Sequence, residues 1–515
     1  MDLLVAPSGG THRSIQEAIN DASPGSVIRV SPGLYSRPVL INKPGLTLQA
    51  VEMNGECQIS IKRGPVIAVC LQEGQSATIR GFKLIHNNDL IESEGGGWIK
   101  HLKVKSDMDC AMLVDGGNVV VEDCMLSLSR IKSPTPGLVV AKGHCTLKYC
   151  EIKGREERLS VGVLVYEASL EMMTCKVHKH GSGGLQTHNS LGVHVKECIF
   201  INNEGYGLNL SESEHSIVIE GCMITQNSGP GVLVNEKCTA TLKGNEIKYN
   251  EVGVEVLMAF PRIEANKICY NFSDGLVFRS DNDTPCRGSV LDNEIFENEN
   301  GITCTGLLCN PEISTNAKIG HNRKAGIRVQ DYAVVKIYKN MIFENVHQGV
   351  LLTHGTSAHI YQNSIYGNLR ANVAFGDGDV VVVENKIYNG RCEGIFMMNG
   401  RGVVKENEIY ECNDGILSVS SKPEVEKNSI YHNRRTGVTL ADKSKAFVHE
   451  NQIHHNGECG LYVRDTSKAV IKGNSLHDNA IQISFTSSKK MNLKEFHSEN
   501  EVEGEVQLPV YCLLL

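Results

Sequence analysis

The sequence has no long apolar segment and, across its repeated region, no helical pattern. Among its 515 residues there is no run of 18 apolar residues, so the sequence predicts no membrane-spanning helix. Between residues 224 and 476, apolar residues never recur at i, i+3, i+4 and i+7 over several turns. A helical fold is therefore not expected there.

An excess of basic residues is also missing. The 51 Lys and Arg residues against 59 Asp and Glu residues give a net charge of −8, which argues against a dedicated nucleic-acid surface. The first ten residues contain Asp2 and Pro7 but no apolar core of a secretory signal. No Cys-x-x-Cys spacing occurs among the 18 cysteines, so no zinc site is predicted. Because there is no secretory signal and five cysteines share one position of the repeat, disulfides are not expected either. We expect a cytoplasmic protein with reduced thiols.

A short phrase recurs every 21–27 residues between residues 224 and 476. It reads Asn, any residue, an aliphatic residue and then an aromatic or polar residue, as in Asn340-Met341-Ile342-Phe343. Short alternating runs bounded by Gly, Asn and Asp separate the copies, which is typical of strands. About 22 residues hold two or three short strands, which is one coil of a parallel β-helix. The sequence predicts an all-β solenoid of about 20 coils.

The first position of the phrase predicts a ladder of polar side chains. Asn fills it from Asn245 to Asn474, with Ala317 as a gap, and Cys fills it upstream from Cys124 to Cys222. Asn suits a tight bend, and stacked amides bond one another from coil to coil. Buried Cys behaves as a small apolar residue. Both ladders are therefore predicted to be structural.

The two ends of the chain are predicted to cap the solenoid, because an open end exposes apolar core and unpaired strand edges. Apolar residues at 15, 18, 19 and 22 predict a short amphipathic helix with Ser14 as its N-cap. We assign residues 1–26 to this cap and 27–484 to the β-helix. Residues 485–515, where the repeat is lost, are assigned to a C-terminal cap or tail.

These segments resemble known proteins. The opening, from Ser14-Ile15-Gln16-Glu17-Ala18-Ile19 to Pro32-Gly33-Leu34-Tyr35, resembles the start of right-handed parallel β-helix proteins. The Asn-x-Ile coils resemble repeats found in many carbohydrate-binding proteins and sugar hydrolases. The resemblance implies a single right-handed parallel β-helix. Within that group the chain is most similar to the β-helix of F-box-only proteins, which recruit substrates to a ubiquitin ligase, although it shows no F-box. A binding role is what this resemblance implies.

Motifs of the sugar-active relatives are almost absent. Of the polygalacturonase segments only Arg130-Ile131-Lys132 occurs, ahead of its usual place in the chain order. The signatures of pectin esterases and alginate epimerases, and the stacked calcium carboxylates of pectate lyases, are not found. No catalytic residue and no cofactor is predicted.

A row of aromatic residues is the first candidate for binding. Because each follows the inward aliphatic residue, a continuing strand would point it outward. Exposed rings stack on sugars or anchor a partner protein; the alternative is that the rings stack on one another over the bend. The candidates are Phe343, Tyr366, Tyr388, Tyr410 and Tyr431.

Further candidates lie where the repeat is interrupted. Asp377 and Asp379, and likewise Asp281 and Asp283, place two carboxylates on a loop, where they could hold a hard cation or serve as acid and base. A plain turn is the alternative in both cases. Trp98, in the Gly-rich stretch of residues 86–105, is a candidate binding hot spot or a packed ring. The paired histidines at 178 and 180 and at 454 and 455 have no Asp or Cys at ligand spacing, so no metal is predicted.

These observations favour a non-enzymatic intracellular scaffold. It would bind a protein partner along one face of a β-helical rod, within a cytoskeletal, ciliary or ubiquitin-ligase assembly. The alternative is a carbohydrate-binding or polysaccharide-active β-helix protein, which rests on analogy of fold.

Overall fold

The computed structural model describes residues 2–53, 55–87, 109–129, 135–155, 160–213, 215–281, 283–464, 466–486 and 493–507. The chain divides into two compact units, Met1–Arg262 and Ile263–Leu515. Each unit is built from short parallel strands that stack coil upon coil. In each coil the chain passes through a first, a second and a third sheet, and the prediction of an all-β parallel β-helix is confirmed.

The first unit begins with a strand that joins its third sheet and contains one helix, Ile15–Asp21. Its first sheet contains Gly33–Tyr35, Cys57–Ile61, Lys83–Asn87, Met125–Ser129, Glu151–Lys153, Lys176–His178, Ile199–Ile201, Met223–Thr225 and Glu246–Lys248. Its second sheet contains Val39–Ile41, Pro65–Val69, Ser160–Tyr166, Gly183–His188, Tyr206–Ser211, Val232–Asn235 and Val254–Leu257. Its third sheet contains Asp2–Val5, Val27–Val30, Leu46–Ala50, Ser76–Arg80, Ser169–Met173, Gly192–Lys196, Ile217–Glu220 and Thr241–Lys243. Two long strands, Cys110–Glu122 and Thr135–Lys148, run through both the second and the third sheet.

The second unit repeats this pattern more regularly. Its first sheet contains Lys267–Cys269, Glu294–Phe296, Lys318–Gly320, Met341–Phe343, Ser364–Tyr366, Lys386–Tyr388, Glu408–Tyr410, Ser429–Tyr431, Gln452–His454, Ser475–His477 and Glu501–Val502. Its second sheet contains Leu276–Arg279, Ile302–Thr305, Ile327–Gln330, Val350–Leu352, Val373–Phe375, Ile395–Met398, Ile416–Val419, Thr436–Ala441, Cys459–Val463, Ile481–Phe485 and Val506–Gln507. Its third sheet contains Cys286–Leu291, Cys309–Ser314, Val334–Tyr338, Ser357–Tyr361, Asp379–Val383, Arg401–Lys405, Lys422–Glu426, Lys445–His449 and Lys468–Lys472.

Two further elements remain. The strand Arg262–Glu264 contains the point where the chain passes from the first unit to the second. The helix Leu493–Glu499 lies near the end of the second unit. Both helices of the described chain have seven residues, and neither is long and apolar enough to cross a membrane.

The core of each coil follows from strand alternation. In the strands of the first sheet the middle aliphatic residue points inward, and Ile342, Ile365 and Ile387 are fully buried in consecutive coils. Their neighbours on either side are half-buried or exposed. Each inward residue stacks on its equivalent one coil away, so the apolar repeat in the sequence becomes a continuous column of buried side chains.

An amide ladder lines the bend that precedes the first sheet. In the second unit, Asn340 donates from Nδ2 to Asn363 Oδ1 at 3.0 Å, and Asn363 repeats this bond to Asn385 at 2.9 Å. The expected gap at Ala317 is wrong, because Asn316 fills the slot and bonds Asn340 at 2.8 Å. Ala317 is a one-residue insertion between the ladder and the inward Ile319. In the first unit Cys occupies the slot, and Cys198 Sγ accepts the Cys175 amide at 3.3 Å.

A second amide ladder follows the first sheet. It contains Asn322, Asn345 and Asn368, which bond one another at 2.9 and 3.0 Å. A glycine of the same coil packs against this ladder: a Cβ on Gly349 would lie 2.7 Å from Asn368 Nδ2 and 2.6 Å from the Asn372 carbonyl oxygen. Glycine therefore recurs here because the neighbouring coil leaves no room for a side chain.

Candidate functional site

The aromatic row of the first sheet is a continuous stack of rings. Phe343 and Tyr366 lie 5.2 Å apart with an interplanar angle of 6°, and Tyr366 and Tyr388 lie 4.8 Å apart. The stack continues through Tyr410 and Tyr431 at 5.0 and 5.1 Å. Each ring inside the stack has both faces covered by its neighbours and only an edge toward solvent. Its faces are therefore not open to a sugar ring.

The paired aspartates lie on turns that leave the second sheet. Asp281 accepts the backbone amides of Asp283 and Thr284 at 2.9 and 2.5 Å, and these hydrogen bonds lower the pKa of its carboxyl group. Asp377 and Asp379 are exposed at the equivalent turn, four coils further on. The structure does not bring the two pairs together. Trp98 lies outside the described residues.

A cationic column lies at the corner where the chain of the second unit passes from the first sheet to the second. Lys324, His347 and Arg370 occupy the same place in three consecutive coils, since the His347 amide donates to the Lys324 carbonyl at 3.1 Å and the Arg370 amide to the His347 carbonyl at 3.2 Å. Burial, together with the charges of Arg370 and Lys324, lowers the pKa of His347. Burial is the largest cause of this shift, and Lys324 pairs with Glu299, so among the described residues Arg370 is the cation of this column that no acidic side chain neutralises.

Two more arginines extend this edge. Arg391 and Arg434 are exposed on later coils of the same corner. Within the described chain no acidic side chain lies at ion-pair distance from Arg370, Arg391 or Arg434. We call these three residues the arginine edge. Their guanidinium groups are available to an external acceptor.

Two carboxylates stand in the same corner, on adjacent coils. The Asn372 amide donates to the Glu393 carbonyl and the Gly394 amide to the Asp414 carbonyl, which places Glu393 and Asp414 one coil apart. The Asp414 side chain is buried and accepts the Thr436 hydroxyl at 2.6 Å. Arg435 lies 3.5 Å from Asp414 and 3.4 Å from Glu458. Asp414 is thus held rigidly between a hydroxyl and a guanidinium group.

The outward face of the second sheet runs beside this corner. Thr436 Oγ1 also lies 2.7 Å from Thr439 Oγ1, and Thr439 pairs with Leu417 on the outward face. The corner groups therefore reach the outward face. Along it, consecutive coils form an apolar row in which Leu351, Phe396 and Leu417 are half-buried and Ala374 is buried between Leu351 and Phe396.

No residue of this corner was predicted from the sequence as a candidate for binding. Arg370 and Arg434 follow the second Asn of their phrase by two residues and by one, as in Asn368-Leu369-Arg370 and Asn433-Arg434-Arg435, and Arg391 follows Gly390, which fills that position. Counting those two positions through the repeat would have found them. The arrangement combines an apolar surface, guanidinium donors and rigid carboxylates, which is what a site for a polar chain molecule with apolar faces needs.

The description "Right handed beta helix region" is that of the family model that matches this chain, over residues 128–261, 260–421 and 348–496. The chain belongs to the right-handed β-helix family. This confirms the resemblance of the Asn-x-Ile coils to such repeats. Among curated proteins no significant match is found.

Solved structures resemble this chain at low identity. A mutant of the periplasmic alginate epimerase AlgG is 15% identical, over 60% of this chain and 78% of that one, with a TM-score of 0.39. The pectin methylesterase PemA from Erwinia chrysanthemi is 13% identical, over 50% and 89%, with a TM-score of 0.31. The PL6 family alginate lyase AlyGC is 8% identical over 99% and 100%, with a TM-score of 0.31.

Proposed function

We propose that this protein binds an extended carbohydrate chain along the apolar row of its second unit, and that uronic acid sugars are the preferred class. The observation that carries the proposal is the apolar row with the arginine edge beside it. Apolar and aromatic side chains pack against the C–H face of a pyranose ring. A guanidinium group binds a carboxylate with two parallel hydrogen bonds.

The spacing of the coils supports a chain ligand. Adjacent parallel strands lie about 4.8 Å apart, which is comparable to the length of one sugar residue in an extended chain. Leu351, Ala374, Phe396 and Leu417 follow one another at this spacing. Arg370 and Arg391 stand on adjacent coils, so that neighbouring uronates would each meet one guanidinium group.

The two carboxylates supply hydrogen-bond acceptors to the site. Glu393 and Asp414 accept hydrogen bonds from sugar hydroxyls, and Asp414 is fixed by Thr436 and Arg435. Two carboxylates one coil apart also form the kind of pair that general acid and base catalysis uses. A test of binding should therefore record whether the sugar chain is shortened or modified.

The experiment is calorimetric titration of the full chain with oligouronates from alginate and pectin, with uncharged gluco-oligosaccharides of equal length for comparison. We expect binding of the oligouronates and weaker binding of the neutral chains. Phe396→Ala removes the largest apolar contact and should weaken binding by up to about tenfold, because one aromatic contact contributes about 0.5–1.5 kcal/mol. Arg391→Ala should reduce the preference for uronates, because it removes a charged hydrogen bond.

Matched controls come from other faces of the same unit. Phe447 is 58% exposed on the third sheet, and Phe447→Ala should leave binding unchanged. Arg401, exposed on the third sheet, is the control for Arg391. The proposal fails if no oligosaccharide binds, or if Phe447→Ala weakens binding as much as Phe396→Ala. Loss of product formation in Asp414→Asn, where the parent chain does form product, would extend the proposal to catalysis.

A protein partner on the same face is the second candidate. It is favoured by apolar residues beside the row, since Met398, two residues after Phe396 on the same strand, is 47% exposed and pairs in register with Val419. Apolar side chains of this kind are enriched where proteins dock. Met398→Glu would then abolish capture of the partner by affinity purification, whereas a carbohydrate chain bound along Leu351 to Leu417 would be little affected.

A further inference from the structure

Two histidines and one aspartate converge at the corner that follows the first sheet of the second unit. His477 Nδ1 lies 2.8 Å from Asp478 Oδ2, and His455 Nε2 lies 3.8 Å from the same oxygen. One nitrogen of each histidine and the carboxylate oxygen all lie within 4.8 Å of one another. His455 and Asp478 are exposed, and His477 is half-buried.

The fold brings these side chains together from separate coils. His454 pairs with His477 in the first sheet, and their rings stack at 4.9 Å. His455 and Asp478 occupy the next position of the same two coils, where the backbone is left-handed with φ of 54° in both. The register therefore places His455 above Asp478 although 22 residues separate them in the chain.

A fourth side chain fixes the orientation of His455. His454 Nδ1 lies 2.9 Å from His455 Nδ1, so one of the two nitrogens carries the hydrogen and the other accepts it. This contact leaves His455 Nε2 facing Asp478. Ligand histidines in proteins are commonly held in this way through their second ring nitrogen.

We propose that His455, His477 and Asp478 bind a divalent first-row transition metal ion, with zinc as the representative. Ligands of one tetrahedral zinc ion, each about 2.0–2.2 Å from the metal, lie about 3.3–3.6 Å apart. The separations of 2.8 and 3.8 Å bracket that value. Two imidazoles with one carboxylate suit zinc or nickel, whereas calcium takes six to eight oxygen ligands. A three-residue site leaves a coordination position open to solvent or to an external ligand.

Two glutamates near the three ligands add negative charge to the site. The Glu503 amide donates to the Leu476 carbonyl, which places Glu503 one coil beyond His477 in the same row. Glu501 and Glu503 line the same surface pocket as His477. Their carboxylates attract a cation to this corner at short range.

The test is titration of the metal-stripped, reduced full chain with zinc chloride, nickel chloride and, as the hard-ion comparison, calcium chloride. We expect one zinc or nickel ion per chain and no calcium at this site. His455→Ala, His477→Ala and Asp478→Asn should each weaken zinc binding at least about tenfold. His454→Tyr keeps a ring in the stack, as Tyr431 does, and removes the contact that orients His455, so a smaller loss is expected.

His359 is exposed on the third sheet, and His359→Ala is the matched control. The visible spectrum of the cobalt-substituted chain identifies the ligands, because a thiolate ligand adds an intense charge-transfer band that nitrogen and oxygen ligands lack. The proposal is overturned if zinc does not bind at millimolar concentration, if His359→Ala weakens binding as His477→Ala does, or if the cobalt spectrum shows thiolate ligation. Circular dichroism of each metal-free variant separates loss of the site from loss of the fold.

Discussion

At the scale of single residues, the ladder asparagines are held by hydrogen bonds within their own coil and to the neighbouring coils. Asn407 Nδ2 donates to the carbonyls of Val382 and Lys405 and to Asn428 Oδ1, while Asn407 Oδ1 accepts the Asn385 amide. The side chain is 2% exposed, so loss of these bonds would leave several buried polar groups unpaired, each at a cost of about 1–3 kcal/mol. Few other side chains could make the hydrogen bonds to both neighbouring coils at the same time.

At one place in the second unit, Asn and Gly exchange their usual positions in the repeat. Gly390 stands where the second ladder requires Asn, and Asn372 stands where the preceding turn requires Gly. The Asn372 side chain fills the space: Asn368 Nδ2 donates to its Oδ1 at 2.8 Å, and its Nδ2 donates to the Tyr388 carbonyl at 3.1 Å. The missing Cβ of Gly390 leaves room for it, since a Cβ there would lie 3.1 Å from Asn372 Nδ2.

Because the two residues are exchanged, each substitution should compensate for the loss of stability that the other causes. Asn372→Gly should destabilise the chain by about 2 kcal/mol, because Asn368 Nδ2 would keep only the Tyr366 carbonyl and the Tyr388 carbonyl would lose the Asn372 donor. Gly390→Asn alone should also destabilise it through crowding. The double variant restores the usual order of the repeat, and we expect it to recover most of the loss, with a coupling of about 1–3 kcal/mol. Urea unfolding of the four proteins measures the coupling, and additive losses would contradict the prediction.

At the scale of the element, the first unit shows that a thiol can replace the amide in the bend ladder. Cys198 Sγ accepts the Cys175 amide, and Cys222 Sγ accepts the Cys198 amide at 3.4 Å. Sulfur thus supplies the acceptor that Asn Oδ1 supplies elsewhere, and Cys222 itself donates its amide to Asn245 Oδ1. The thiols are parts of the coil, and burial raises the pKa of Cys124 to about 12.

The thiol ladder predicts selective labelling. A thiol that is buried inside the coil is closed to disulfide reagents and therefore reacts slowly in the folded chain. Among the described cysteines only Cys70 and Cys392 are half-buried rather than buried, so we expect these two to react first in the folded chain. Mass spectrometry after brief labelling at pH 8 identifies the modified peptides. Labelling of Cys150 or Cys198 as fast as Cys392 would show that the ladder opens readily.

The elements also show what the sequence can and cannot predict. The 21–27-residue period predicted the strand type, the inward aliphatic column and the ladder slot, because those depend on spacing within one coil. The contact between His455 and Asp478 depends on the register between two coils, which insertions such as Ala317 shift by one residue. The direction of the Asp414 side chain depends on Thr436 in the next coil. Contacts between side chains of different coils leave no recognisable pattern in the sequence of a single coil.

At the scale of the whole molecule, several histidines with lowered pKa values make the folded chain less stable as the pH decreases. Burial lowers the pKa of His178 and of His180, the latter to about 3, and burial also contributes most to the lowered pKa values of His347 and His454. Each of these groups takes up a proton more readily in the unfolded chain, where its pKa is about 6.5. Stability from this source is complete above pH 6.5 and falls as the pH decreases.

His180 offers the cleanest test of this dependence. It occupies the second-ladder slot, where its amide donates to Asn203 Oδ1 and its Nε2 contacts the Ile152 carbonyl. Asn227 makes the same kind of bond to the Phe200 carbonyl, so His180→Asn should fit the slot without titrating. Between pH 7 and pH 4 the buried histidine costs about 3 kcal/mol of folding free energy. We therefore expect His180→Asn to lose less stability than the parent chain on acidification, measured as the urea midpoint at pH 7, 5.5 and 4. His359→Asn, on an exposed residue, should follow the parent curve, and a parallel curve for His180→Asn would show that another group controls the acid transition.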